Sequence, residues 1–237
     1  MATEHTPHPR VVHAEGQSGS TGLALLLAAV SGYVDGVGVM YITGVFVSFM
    51  SGNTTVSGVA LGTADWANLA HAGAAIPLYL AAVTTGALVF ARWPRARPAL
   101  HLAVVVLLAG FVLVAQLQGP ATPEGWVELL LVALLVLPMG LLNMTLRKVG
   151  ATTVGLGYIT GTLVSLGESL AHLLRSRHRA DWVPVGLFGG LWAGFFLGAA
   201  CGAFLTVRFG SWATVVPLVV VMALLVIDLR NARRATD

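Results

Sequence analysis

From residue 21 onward the chain alternates long apolar runs with short polar ones. Apolar stretches at about 21–43, 69–91, 99–118, 126–146, 183–206 and 211–229 each come near the roughly 20 residues that an α-helix needs to cross a bilayer. Helices are the expected state, because hydrocarbon cannot satisfy bare backbone groups and the runs lack the alternating pattern of a membrane barrel. Two further stretches, 45–62 and 152–174, are apolar but interrupted, by Ser51-Gly52-Asn53-Thr54-Thr55 in one and by Thr160-Gly161-Thr162 with Glu168 in the other. The pattern predicts an all-α, polytopic transmembrane bundle with six full spans and two interrupted or re-entrant segments; eight spans is the alternative.

Residues 1–20 have no periodic apolar face and are expected to form a disordered tail. A single transmembrane domain then fills 21–230, followed by a short C-terminal tail, 231–237. The Leu-rich start of the first run imitates a signal peptide. Its apolar character continues past Met40 and no soluble domain follows, so an uncleaved first span is expected. Composition agrees: 57% of residues are hydrophobic and 10% charged, against roughly a quarter charged in soluble domains.

Lysine and arginine near span ends gather on the cytoplasmic side. With eight crossings, Arg10, Arg175, Arg177, Arg179, Arg230, Arg233 and Arg234 share one side, and Arg92, Arg95, Arg97, Arg147, Lys148 and Arg208 the other. That division has no bias. If the interrupted segments enter and leave by one face, every Lys and Arg except Arg208 joins the N-terminal side. The expected topology therefore has six spans, both termini cytoplasmic and the inner membrane as its location.

An internal repeat is expected from short matches. Gly32-Tyr33-Val34-Asp35 has a counterpart 108 positions later in Gly140-Leu141-Leu142-Asn143, and Ser51-Gly52-Asn53-Thr54 has one 109 positions later in Thr160-Gly161-Thr162-Leu163. The halves run from about 21 to 118 and from 126 to 229. With three spans each, they would be inverted, an arrangement that in many transporters places the binding site where broken helices meet.

The same runs, Gly32 to Gly36, Gly44 to Thr54, Gly140 to Asn143 and Thr160 to Leu163, resemble those of the YoaK-type family of bacterial membrane proteins over roughly residues 20–230. The resemblance implies a membrane domain of about six helices and no particular activity.

Candidate chemistry lies in the polar residues inside the apolar runs. Asp35 sits well inside the first span, where an ionised carboxylate is costly unless paired, hydrated or protonated. It is a candidate proton or cation site, with Asn53, Thr54, Asn143, Thr160 and Thr162 as substrate- or ion-binding neighbours; the competing reading has Asp35 closing a broken helix. Glu168 is a second candidate ligand or, equally, a partner of His172 or Arg175 on one helix face. Gly190, Gly194, Gly198 and Gly202 recur every fourth residue and predict a face for close helix packing, within the chain or between subunits of a homo-oligomer.

No phosphate loop, nucleophile elbow or zinc-protease motif is present. The single cysteine, Cys201, excludes an intrachain disulfide and a cysteine metal cluster, and reads as a small packing residue. His71 has no evident ligand partner in sequence, and His5, His8 and His13 read as a solvated tail. The sequence implies no cofactor and no metal, and the net charge of +3 is explained by topology without nucleic acid. Trp93, Trp126, Trp182 and Trp212 fall near span ends, as interfacial anchors do. The expected partners are the lipid bilayer and a small molecule or ion. A transporter or channel fits best; a non-transporting scaffold or regulator and an intramembrane enzyme are the alternatives.

Overall fold

The computed structural model describes residues 18–42, 44–119, 125–146, 148–149, 152–153, 158–176 and 182–234. Among the described residues there are eight α-helices: α1 Thr21–Tyr41, α2 Met50–Gly62, α3 Trp66–Arg92, α4 Arg97–Gln118, α5 Gly125–Thr145, α6 Ile159–Ser176, α7 Trp182–Phe209 and α8 Val215–Arg234. Three two-residue strands, β1 Ser18–Gly19, β2 Lys148–Val149 and β3 Thr152–Thr153, form a small clip. Helix starts follow local chemistry. The Ser20 hydroxyl accepts the Leu23 N–H at the head of α1, and Asp65 accepts the Asn68 N–H at the head of α3.

Among the described residues, five segments are long and apolar enough to cross a membrane: Thr21–Tyr41, Trp66–Arg92, Arg97–Gln118, Gly125–Thr145 and Trp182–Arg234. The last contains both α7 and α8, joined by a 3-10 turn at Gly210–Thr214 whose Gly210 has φ +58°. Large apolar side chains such as Leu80, Leu88, Val106, Phe196 and Phe204 point outward. That inversion suits a lipid solvent, and Trp66, Trp93, Trp126, Trp182 and Trp212 are likewise exposed near helix ends.

Specific contacts fix the helix directions. α1 and α7 run parallel, with Leu25 against Gly190 and Gly194, Ala29 against Gly198 and Tyr33 against Gly202. α3 and α5 also run parallel: His71 pairs with Glu128 near their starts, and Gly140 and Met144 meet Ala82 and Gly86 farther along. α4 and α8 run antiparallel, joined by Gln116 to Ser211 at 2.7 Å and His101 to Asp228 at 3.0 Å.

Two further contacts relate these pairs. The Tyr33 hydroxyl donates to the Ala213 carbonyl at 2.8 Å and the Tyr41 ring meets Phe111 at 5.5 Å, so the C-terminal halves of α1 and α4 lie level with the turn after α7. β1, just before α1, pairs with β2, just after α5, so α1 begins on the face where α5 ends. Thus α1, α4 and α7 point one way and α3, α5 and α8 the other. α2 lies between antiparallel neighbours, as does α6, and neither adds a net crossing.

The tightest seam is α1 on α7. A Cβ at Gly198 or Gly202 would overlap the carbonyl oxygen of Ala29 or Tyr33, and one at Gly32 or Gly36 would overlap that of Phe195 or Ala199. The backbones touch directly, so dispersion between main chains replaces the hydrophobic driving force that lipid removes. Cys201 does not share this face. One position from Gly202 is about 100° around the helix, and the thiol is exposed rather than packed.

Other expectations are corrected in detail. Ser51 to Thr55 do not interrupt their segment but form the first turns of α2, while the non-helical stretch precedes them, from Ile42 to Phe49 among the described residues. Thr160 to Thr162 likewise lie in the first turn of α6. Ser18 and Gly19 are paired in β1, outside any tail, and α8 continues to Arg234. The remaining tail positions, with His5, His8 and His13, lie outside the described residues.

Candidate functional site

Asp35 stands about two turns before the end of α1, and the chain after α1 folds back to reach it. The link has irregular backbone whose N–H groups need acceptors. Asp35 supplies them: Oδ1 accepts the Val47 and Ser48 N–H groups, each at 2.7 Å, and Oδ2 accepts the Ser48 hydroxyl at 2.6 Å. Asn53, in the first turn of α2, works from the other side. Its Oδ1 accepts the Phe46 N–H at 3.0 Å and its Nδ2 donates to the Phe46 carbonyl at 2.6 Å. Non-helical backbone at membrane depth is tolerated where protein covers it. Asp35 is 3% exposed and Asn53 fully buried. These are the contacts of side chains that close a broken helix.

Glycines make the fold-back possible. A Cβ at Gly38 would lie 2.9 Å from the Val45 carbonyl, and one at Gly52 would press on the Phe46 and Phe49 rings, which meet edge-on at 5.5 Å. Gly44, with φ +89°, starts the reversal in a conformation that residues with a Cβ rarely adopt.

Beside the link lies a cavity of about 400 Å³. Its wall combines Asp35, Val39 and Met40 of α1, Phe46 and Phe49 of the link, Phe195 of α7 and Ile159 of α6. The two segments that the sequence marks as interrupted therefore meet here. The wall is aliphatic and aromatic, and the Asp35 carboxylate is turned to the link.

The remaining candidates are dispersed. Thr54 is exposed and bonds the Met50 carbonyl of its own helix at 2.9 Å. Thr162 is buried and bonds the Tyr158 carbonyl at 3.0 Å, again within its own segment. Thr160 is exposed beside Ile159. Asn143 donates to the Tyr79 hydroxyl across the α3–α5 seam. Glu168 is exposed on α6, where it lines a second cavity of about 350 Å³ with Ser169, His172 and Pro184. Asp35 and Asn53 alone act on one feature.

Sequence reasoning passed over the partners. Ser48 was not singled out, and His71, which has no evident partner in sequence, meets Glu128 in space. His101 and Asp228 also went unremarked. The His, Glu and Asp residues are ionisable groups within apolar helices and Ser48 is a polar residue in an apolar link, signals available from the sequence; only the pairings needed the fold. Among the described residues, no group of three or more His, Cys, Asp or Glu could hold a metal ion.

The profile of a family described as protein of unknown function (DUF1275) matches residues 23–227. A UPF0700 transmembrane protein of Rhizobium meliloti (strain 1021) is 32% identical over 221 residues, covering 91% of this chain and 89% of that protein. No solved structure matches the chain. The helical membrane bundle, the profile match across nearly all of it and the similarity to a transmembrane protein place the chain in the DUF1275 family of membrane proteins.

Proposed function

We propose that this protein is a membrane carrier for a small, largely apolar molecule, which binds between α1, the Ile42–Phe49 link, α6 and α7. The observation that carries this reading is the cavity of about 400 Å³ at which both interrupted segments converge. Its size falls in the range of small-molecule sites. Its wall of Val39, Met40, Phe46, Phe49, Ile159 and Phe195 favours an apolar body over a bare ion.

The carrier reading includes an inverted repeat. If α1 to α4 correspond to α5 to α8 in order, exchange of halves turns the α1–α7 seam into the α5–α3 seam, and both are parallel. The same exchange turns α2 on α3 into α6 on α7 and returns α4 on α8 to itself. Gly32 and Gly140 then play matching parts, one against the Phe195 carbonyl and the other beside the Tyr79 carbonyl. Such repeats place their interrupted segments at a shared site near mid-membrane. In this reading the face rich in Arg92, Arg95, Arg97 and Lys148 is cytoplasmic, with both termini, in the inner membrane.

Thermal stability of the purified protein across a panel of small apolar and amphipathic metabolites tests the binding step. A ligand at about 100 times its Kd adds about 2.7 kcal/mol to stability, and Met40→Trp, which narrows the cavity, should abolish that gain. Flux of the stabilising compound into proteoliposomes then tests carriage. A folded protein that is indifferent to the whole panel and passes none of it is a scaffold, and the carrier reading fails.

A further inference from the structure

The α4–α8 seam has a different chemistry at each end. At one end Gln116 donates to the Ser211 hydroxyl at 2.7 Å, a neutral and satisfied contact. At the other, His101 Nδ1 stands 3.0 Å from Asp228 Oδ2. This approach is close but not aligned as a hydrogen bond. Neither ring nitrogen of His101, nor Asp228 Oδ2, has a hydrogen-bond partner. His101 is 2% exposed and the Asp228 side chain 16%.

A buried imidazole and carboxylate left in this way are expensive. One proton resolves the conflict. With both nitrogens protonated the ring becomes a cation 3.0 Å from Oδ2, and the buried carboxylate gains a counter-charge. Without it, a neutral ring can still turn one N–H toward Oδ2 but brings no charge to balance the buried carboxylate. The other charges on these elements are arginines, Arg233 and Arg234 among them in the last turn of α8. Arg97 lies one turn before His101 on α4, Arg92 and Arg95 flank the α3–α4 link, and Arg230 follows Asp228 on α8. α5 contributes no charged residue over its last two turns, and α1 none at all in its first two.

We infer that His101 and Asp228 together form a binding site for one exchangeable proton, set across the α4–α8 seam at the arginine-rich face of the bundle. The site joins the last spans of the two halves. Loss of the proton loosens the seam at this end while Gln116 and Ser211 hold the other. The inference deepens the carrier reading by naming the proton as its driving ion, but the site itself is measured without any solute.

Nitrogen-15 NMR of histidine-labelled, full-length protein in lipid nanodiscs, titrated from about pH 5 to about pH 9, reads the imidazole directly. His101→Gln assigns the resonance among the seven histidines. The expected result is a His101 ring that responds to pH within this window, with a midpoint that moves in Asp228→Asn. A ring whose shifts stay constant across the range overturns the inference, as does a midpoint that Asp228→Asn leaves in place. If His101→Gln does not accumulate, wild type against Asp228→Asn still decides, because the paired imidazole is the one whose midpoint moves. A titrating His101 in a protein that carries no solute leaves the proton site standing and removes the carrier. Solute flux with a silent His101 does the reverse.

Discussion

Replacing Asp35 separates its service as an acceptor from any need for its charge. In Asp35→Ala, the Val47 and Ser48 N–H groups and the Ser48 hydroxyl lose their acceptors. Each orphaned buried donor costs about 1–3 kcal/mol, although polar contacts inside membrane bundles often measure nearer 0.6 kcal/mol. A sum of about 3 kcal/mol for closing the link is a reasonable centre, and it corresponds to about a hundredfold more open link. Asp35→Asn keeps an oxygen for the two N–H groups, and the Ser48 hydroxyl can turn to accept from the new amide. Only the charge assistance is lost, about 1 kcal/mol or about fivefold. The assay is the labelling rate of Val47→Cys by a small maleimide with Cys201 replaced by Ala, since Val47 is buried and becomes reactive only when the link opens. Asp35→Ala should accelerate labelling about a hundredfold and Asp35→Asn about fivefold. Equal acceleration by the two variants, or none by either, would refute the reasoning.

Other consequences follow from the packing and the caps. Gly198→Ala drives a methyl into the Ala29 carbonyl and should destabilise by about 1–3 kcal/mol, whereas Gly58→Ala, with nothing within 4 Å, should leave the melting temperature in detergent unchanged or slightly raised. The Asn68 N–H lowers the Asp65 carboxyl below its usual range, so its contribution is present above the unfolded pKa and is lost as pH falls through the lowered value. Asp65→Asn should flatten that acid limb of the stability profile, and an unchanged limb would assign it to other carboxylates. Single cysteines introduced at Arg95 and Arg230 should label from the same side of the membrane, and labelling from opposite sides would require eight crossings.

The spans were legible because a bilayer imposes length and apolarity together, as Trp66–Arg92 and Arg97–Gln118 illustrate. The breaks were legible only as regions. Polar Ser51 and Asn53 drew attention, yet they are helical, and the irregular backbone runs through Val45, Phe46 and Val47, whose apolar side chains give no hint that the Phe46 amide needs Asn53 and the Val47 amide needs Asp35. Partnerships across the fold were illegible for a related reason: the Tyr33–Ala213 bond spans 180 positions, and no local period reports it. Asp35 was visible as a costly group, but whether a ligand or the protein meets that cost depends on where Ser48 lies. Cys201 failed by one residue, since small size marks a packing candidate while angular position decides whether it packs.

Gly32 and Gly36 on α1, with Gly198 and Gly202 on α7, leave no side chain between the two axes. Helices that interlock this closely cannot slide or tilt against each other without collision, so they behave mechanically as one post. The carrier cycle proposed above would have to pivot around that post, with α3, α4, α5 and α8 as its travelling parts.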